Sequence, residues 1–116
     1  MALERISTSP CDYVVLDVET NGLRSKEHDL LSISVYKPDD GKEYNRFLPL
    51  DLNDGVYTTY INGITKRDLK GKSHLTQAEA DELFDTFELD RRTILHYGGL
   101  DERFIRDYFD RHHLLG

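Results

Sequence analysis

Residues 13–23, YVVLDVETNGL, constrain the fold of this 116-residue chain more than any other stretch. β-Branched and apolar side chains dominate its first six positions and an Asn-Gly pair follows, which is typical of a buried strand that runs into a turn. Side chains along a strand alternate between two faces, so Asp17 and Glu19 are predicted to point to the same side. The stretch therefore predicts a sheet with two carboxylates at one strand end.

These two carboxylates repel each other unless a cation lies between them. Short acidic side chains supply the hard oxygen ligands that suit Mg²⁺ or Mn²⁺, and both ions leave positions open for water and phosphate oxygens. The alternative is that Asp17 and Glu19 only mark a strand end. Taken alone, the common tripeptide Asp-x-Glu favours that alternative.

Length and composition limit the classes of protein. The chain suffices for one domain with a small core, and it contains no apolar run near the ~20 residues of a membrane span. The first residues lack the apolar core of a signal peptide, and the lone Cys11 cannot form an internal disulfide, so we expect a cytoplasmic protein that does not enter a membrane. The net charge of −7 argues against holding nucleic acid by general electrostatic attraction.

Two further strands are predicted to complete a meander. Residues 30–36 alternate apolar with small or polar side chains, which predicts a strand whose Leu31, Ile33 and Val35 face the core. A Pro and an Asp-Gly turn signal then link it to a third strand over residues 43–48.

Helical patterns occupy the second half. Thr76 and Glu79 form a capping box for a helix that is predicted to end near Glu88. A short strand is predicted at 93–96, followed by a helix from about Asp101. The predicted buried faces of the two helices consist of Ala80, Leu83, Phe84 and Phe87, and of Phe104, Ile105, Tyr108 and Phe109.

Two other features have both a structural and a functional interpretation. Residues 57–72 read as a loop or short helical piece in which Ile61 and Ile64 either plug the core or contact a ligand. Asp101 lies where a strand has ended and a helix begins, and an acid in the first helical turn is favoured by the macrodipole alone.

Two motifs resemble those of a known family. Residues 14–23 resemble the first acidic motif of the DEDD (DnaQ-like) family of 3′-5′ exonucleases, typified by the proofreading epsilon subunit of bacterial DNA polymerase III. Residues 94–105 resemble its second acidic motif, with His96 and Asp101 in place, although Asn is usual where Tyr97 stands. The resemblance implies an α/β fold, a ribonuclease-H-like mixed sheet flanked by helices.

The resemblance also implies a site and a reaction. Asp17, Glu19 and Asp101 would hold two Mg²⁺ or Mn²⁺ ions for release of 5′-mononucleotides from a single-stranded 3′ end, with DNA favoured over RNA, in proofreading or repair. A DNA polymerase subunit would be a partner. The implied substrate contacts are Thr20, Gly22, Tyr60, Ile64 and His96.

The family's third acidic motif, with a fourth metal-binding Asp and a His or Tyr general base, is absent from residues 1–116. We therefore expect the N-terminal two-thirds of an exonuclease domain, lacking the last elements of the fold, weak or inactive alone, and with an exposed surface that invites a homodimer. His112 and His113 are expected to be solvated at a helix C-terminus rather than to act as the base.

The sequence leaves two other functions open. The stronger alternative is a noncatalytic interaction or regulatory module that retains an exonuclease-like fold. A phosphatase that uses Asp17 as nucleophile is weaker, since a second Asp would be expected two residues on, where Glu19 stands.

Overall fold

A computed structural model describes residues 13–96 and 100–116 of the chain. Within these residues, four strands form one sheet in the order β3-β2-β1-β4. The β1–β2 and β2–β3 pairs are antiparallel, whereas β4 runs parallel to β1. The strands are β1 (Tyr13–Thr20), β2 (Leu30–Lys37), β3 (Lys42–Phe47) and β4 (Thr93–Leu95). The predicted mixed sheet with its three-stranded meander is confirmed.

Four helices lie in the rest of the described chain. They are α1 (Thr59–Asn62), α2 (Lys66–Leu69), α3 (Gln77–Asp85) and α4 (Asp101–Arg111). Among the described residues, no helix has the length and apolar character needed to cross a membrane.

The main hydrophobic core lies on one face of the sheet. Along β1, Val14, Leu16 and Val18 are buried, and the residues between them are only partly buried on the opposite face. This alternation follows from the two-residue period of a strand. Helices α3 and α4 belong to the same core through their predicted apolar faces, with Ala80, Leu83, Phe87, Phe104, Tyr108 and Phe109 all buried.

A register shift corrects one predicted core position. The pairing of β1 with β2 slips between Glu19 and Thr20, which pair with Ser32 and Leu30. Leu30 therefore joins Ile33 and Val35 in the main core, while Leu31 packs into a second cluster with Ile64 and Leu69. A β-bulge of this kind changes the face on which a side chain lies, which simple alternation does not predict.

Helix α3 has the predicted capping box but ends earlier than predicted. The Thr76 side chain accepts from the Glu79 N–H, and the Glu79 side chain accepts from the Thr76 N–H. After Asp85 the chain turns at Glu88, whose φ is 57°, and the Leu89 N–H donates to the Leu83 carbonyl at 3.3 Å. A left-handed residue with such a bond closes a helix C-terminus, here without the usual Gly.

Candidate active site

The two acids of β1 lie on the face of the sheet opposite the main core. Asp17 and Glu19 alternate with the buried Leu16 and Val18, as the sequence predicts, and both are partly buried. Burial, together with the negative charge of Asp17, raises the pKa of Glu19 above its usual range. The second acid is thus held where its negative charge is disfavoured.

Asp101 brings a third carboxylate to the same place. It is the first residue of α4 and is only 4% exposed. Burial raises the pKa of Asp101 to about 6; nearby His96 opposes this shift, and the charges of Asp17 and Glu19 add to it. Positions 17, 19 and 101, far apart in the sequence, therefore converge within electrostatic reach of one another.

The environment of Asp101 fits a cation. Its Oδ2 is buried and has no hydrogen-bond partner, and Nδ1 of His96 lies 4.0 Å from it. Burying an unpaired carboxylate costs free energy unless a positive charge compensates it. Carboxylate oxygens are the ligands that hard divalent ions prefer, so these three acids are the residues that could hold such an ion in the cleft, although their oxygens are not clustered as tightly as the 4.8 Å group at Asp51, His74 and His112.

These acids line a cleft of about 470 Å³. Its rim carries three large apolar side chains that are well exposed, Leu23 (74%), Tyr60 (85%) and Ile61 (70%). Exposed apolar side chains next to a charged cleft are typical of a surface that binds a ligand with both apolar and anionic parts. The cleft thus combines an acidic floor with an apolar rim.

Hydrogen bonds to the end of β1 fix the rim helix α1. The Thr58 hydroxyl donates to the Thr20 carbonyl at 2.9 Å, and the Asn62 amide donates to the same carbonyl at 3.3 Å. Because α1 is fixed to the strand that carries Asp17 and Glu19, Tyr60 and Ile61 keep a defined position relative to the acids.

Asn21 is a positioning residue that the sequence analysis missed. It is 1% exposed, its amide donates to the Asn53 side chain and the Gly55 carbonyl, and its oxygen accepts from the Tyr57 N–H at 2.6 Å. The Asn-Gly pair predicts an ordinary turn, and no other local signal in the sequence indicates that Asn21 binds residues more than thirty positions away. Asn21 ties residues 53–57 to the end of β1.

The predicted substrate-contact residues lie in different places in the structure. Thr20, Gly22 and Tyr60 line the cleft. At Gly22 an added Cβ would lie 2.4 Å from the His28 ring, so a side chain does not fit there. His96 lies beside Asp101 but lines a neighbouring groove of about 590 Å³ instead.

Ile64 requires a correction. It is 6% exposed and packs with Leu31 and Leu69, so its side chain is not available to a ligand. Ile61, three residues earlier, holds the exposed position at the rim. Ile61, two residues before Gly63, faces the solvent, whereas Ile64, directly after Gly63, is buried, a distinction that the local sequence does not make. Tyr97, at the position where the family usually has Asn, lies outside the described residues.

His112 also differs from expectation. It was expected to be solvated, but its ring is partly buried and packs against the His74 ring with centroids 4.1 Å apart. Its Nε2 lies 3.2 Å from Oδ2 of Asp51. His113 is exposed, as predicted.

The sequence of the chain is similar to a stretch of PolC-type DNA polymerases III. No family model matches the chain. It is 29% identical over 114 residues to PolC-type DNA polymerase III of Streptococcus thermophilus, covering 96% of this chain and 8% of that protein. It is 30% identical over 105 residues to the same polymerase of Streptococcus mutans, covering 88% and 7%. The chain therefore spans less than a tenth of the length of these curated relatives.

Solved structures show the same fold. Escherichia coli exonuclease I in complex with a dT13 oligonucleotide matches with a TM-score of 0.69 at 19% identity, over 88% of this chain and 24% of that chain. The zinc-ion-bound form of its complex with single-stranded DNA matches with a TM-score of 0.70 at 19% identity and the same coverage. The predicted ribonuclease-H-like sheet and the resemblance to DEDD-type 3′-5′ exonucleases are confirmed.

Proposed function

From this exonuclease fold we propose that the chain is part of a metal-dependent 3′-5′ exonuclease domain, whose cleft takes the 3′ end of a single DNA strand and releases 5′-mononucleotides. The observation that carries the proposal is the environment of Asp101. Its buried carboxylate oxygen has no hydrogen-bond partner, and the residue lines the same cleft as two more acids, whose charges act on it. This arrangement is costly by itself and becomes favourable when a divalent cation is bound.

Asp17, Glu19 and Asp101 would hold the cation, with Mg²⁺ or Mn²⁺ suited to an all-oxygen donor set. When bound, such ions polarise a phosphoryl oxygen and lower the pKa of a water. Asp101 would bind the cation in its ionised form, and His96 favours that form by lowering the carboxyl pKa. His112 contacts Asp51 rather than the acids of the cleft, so it is not placed to act as the general base.

The rim provides the contacts for the terminal nucleotides. Stacking of bases on apolar or aromatic side chains tolerates any sequence, and Tyr60, Ile61 and Leu23 provide such a surface beside the acids. The Thr20 hydroxyl donates a hydrogen bond to the Gly22 carbonyl at 2.7 Å, which holds the turn after β1 in place. This hydrogen bond does not involve a nucleobase. A single strand, with its bases unpaired, fits this arrangement best.

The wider role follows from the relatives and is likewise a proposal. A PolC-type DNA polymerase III contains a stretch similar to this chain, and exonuclease I has been seen with a dT13 oligonucleotide. These likenesses support DNA over RNA as substrate and a polymerase as partner. Removal of mismatched 3′ ends during DNA synthesis is the activity that would combine an exonuclease with a polymerase.

The test is release of nucleotides by the chain in Mn²⁺ or Mg²⁺ from single-stranded DNA labelled at its 3′ end. Since the chain is expected to be weak alone, we expect slow release of labelled mononucleotide as the first product, lost in Asp17→Asn and in EDTA but retained in Asp40→Asn, a control in a surface turn. DNA labelled at the 5′ end should shorten in single-nucleotide steps. Absence of release by the unmodified chain would refute the proposal for it and favour a noncatalytic module with the same fold.

A further inference from the structure

A cluster of two histidines and an aspartate lies outside the acidic cleft. Asp51 follows β3, His74 precedes α3, and His112 directly follows α4. Each offers a ligand atom, and these three atoms lie within 4.8 Å of one another. Three segments that are distant in the sequence thus present metal-binding atoms to a single point.

Neighbouring groups orient the His74 ring. Its Nδ1 lies 2.9 Å from the Tyr108 hydroxyl, which also accepts from the Leu75 N–H at 3.0 Å. A histidine that binds a metal through one nitrogen usually donates through the other, which fixes the tautomer and the ring. With Nδ1 directed at Tyr108, Nε2 of His74 is left for a ligand.

The His112 ring carries an unsatisfied atom. Its Nε2 approaches Oδ2 of Asp51 to 3.2 Å, yet the direction does not make a hydrogen bond, and the atom is buried without a partner. The ring is held between His74 and Tyr108, with centroids 4.1 and 4.4 Å away. A buried nitrogen without a partner is a cost that coordination of a metal would remove.

Asp51 is held from behind by the buried Asp29. The Asp29 carboxylate accepts from the backbone N–H groups of Asp51, Leu52 and Asn53 at 2.9–3.0 Å. Arg111 donates to Oδ2 of Asp51 at 3.1 Å. With both imidazoles neutral, the two carboxylates and one guanidinium leave this neighbourhood with a net charge of −1, which favours a cation.

We propose that Asp51, His74 and His112 form a binding site for a Zn²⁺-type transition-metal ion, separate from the acidic cleft. Two imidazoles and a carboxylate match the ligands of three-ligand zinc sites, with water in the fourth position. Mg²⁺ prefers oxygen ligands, so the two sites differ in the ions that they select. The ion would join the loop after β3 to the end of α4.

The test is titration of Zn²⁺, and of Co²⁺ as a spectroscopic probe, into the full chain carrying Asp17→Asn and Asp101→Asn, which silence the cleft. His→Asn changes suit this site, because Asn retains a polar group near Nδ1 and removes Nε2. We expect one ion per chain by calorimetry, and visible Co²⁺ absorption of a low-coordinate site. A rise in melting temperature should follow, because the ion binds the folded state.

The variants separate this site from adventitious binding. His74→Asn and His112→Asn should each weaken Zn²⁺ affinity about 100-fold or more, since loss of even an outer hydrogen-bond partner costs roughly 10–100-fold. His113→Asn, a change in the exposed neighbour, should leave affinity unaltered. Circular dichroism establishes that each variant is folded. Equal affinity in His112→Asn and His113→Asn, or no saturable binding to the parent chain, would overturn the proposal.

Discussion

Replacing Asp101 by Asn should stabilise the metal-free protein at neutral pH, although this residue is proposed to bind the metal. The Asp101 pKa is raised from 3.8 to about 6, mainly by burial. The folded state therefore holds this proton more tightly than the unfolded state does. Between these two pH values, ionisation of Asp101 costs stability, which falls as the pH rises.

The magnitude follows from the two pKa values. At about 1.36 kcal/mol per pH unit, the difference between 3.8 and about 6 is worth about 3 kcal/mol at pH 7.5 and about 1 kcal/mol at pH 4.5. A carboxylate in the first turn of a helix contributes up to about 1 kcal/mol in the opposite direction, and solvent in the cleft reduces the burial effect. At pH 4.5 the folded-state carboxyl is protonated, so the helix offset does not apply there, and we expect a net gain of about 1–2 kcal/mol at pH 7.5 and about 0.5–1 kcal/mol at pH 4.5.

The assay is urea unfolding of the parent chain and Asp101→Asn in EDTA at both pH values. Asp110→Asn, a change in an exposed acid of the same helix, is the control and should show little difference. Saturating Mn²⁺ should reverse the order at pH 7.5, because the parent chain gains more from the ion. If Asp101→Asn is destabilising in EDTA at pH 7.5, or gains equally at both pH values, the reasoning about the buried acid is wrong.

Three further predictions concern other residues of the fold. Ile64→Ala should lower the free energy of unfolding by about 2–4 kcal/mol in urea titrations, whereas Ile61→Ala should change it by less than about 0.5 kcal/mol and instead weaken binding of single-stranded DNA in fluorescence anisotropy. Equal stability losses would contradict the assignment of faces. Hydrogen bonds from Arg46 lower the pKa of Glu79 from 4.5 to about 2, so Glu79→Gln should cost about 1–2 kcal/mol at pH 7. That cost should shrink as the pH falls from 4.5 toward 2, and a cost independent of pH would refute it. Asn21→Ala should cost about 2–3 kcal/mol and speed amide exchange in residues 53–57; unchanged exchange would contradict its positioning role.

The sequence predicted those features that depend on local periodicity. The alternation of β1 correctly put Asp17 and Glu19 on one face, and the capping box located the start of α3. Each depends on residues only a few positions apart, where propensity and pattern act directly. The match of two motifs to one family then linked Asp101 to the first two acids.

What the sequence did not predict depends on contacts between distant residues. That Ile61 rather than Ile64 lies at the rim follows from how residues 58–65 pack on β1 and β2. The roles of Asn21 and Asp29, both buried and bonded to loops more than twenty residues away, leave no periodic trace. From the sequence alone, a polar turn residue whose side chain is hydrated cannot be distinguished from one whose side chain binds the backbone of a distant loop.

The parallel pairing of β4 with β1 has a consequence for how the site assembles. Among the residues that the structure describes, it consists of three residue pairs, from Tyr13 with Thr93 to Val15 with Leu95, about eighty positions apart along the chain. The meander, by contrast, is built from near neighbours and closes with little loss of chain entropy. The strand that delivers Asp101 should thus join late during folding and open first in the native state, separating the acids while the rest of the sheet persists.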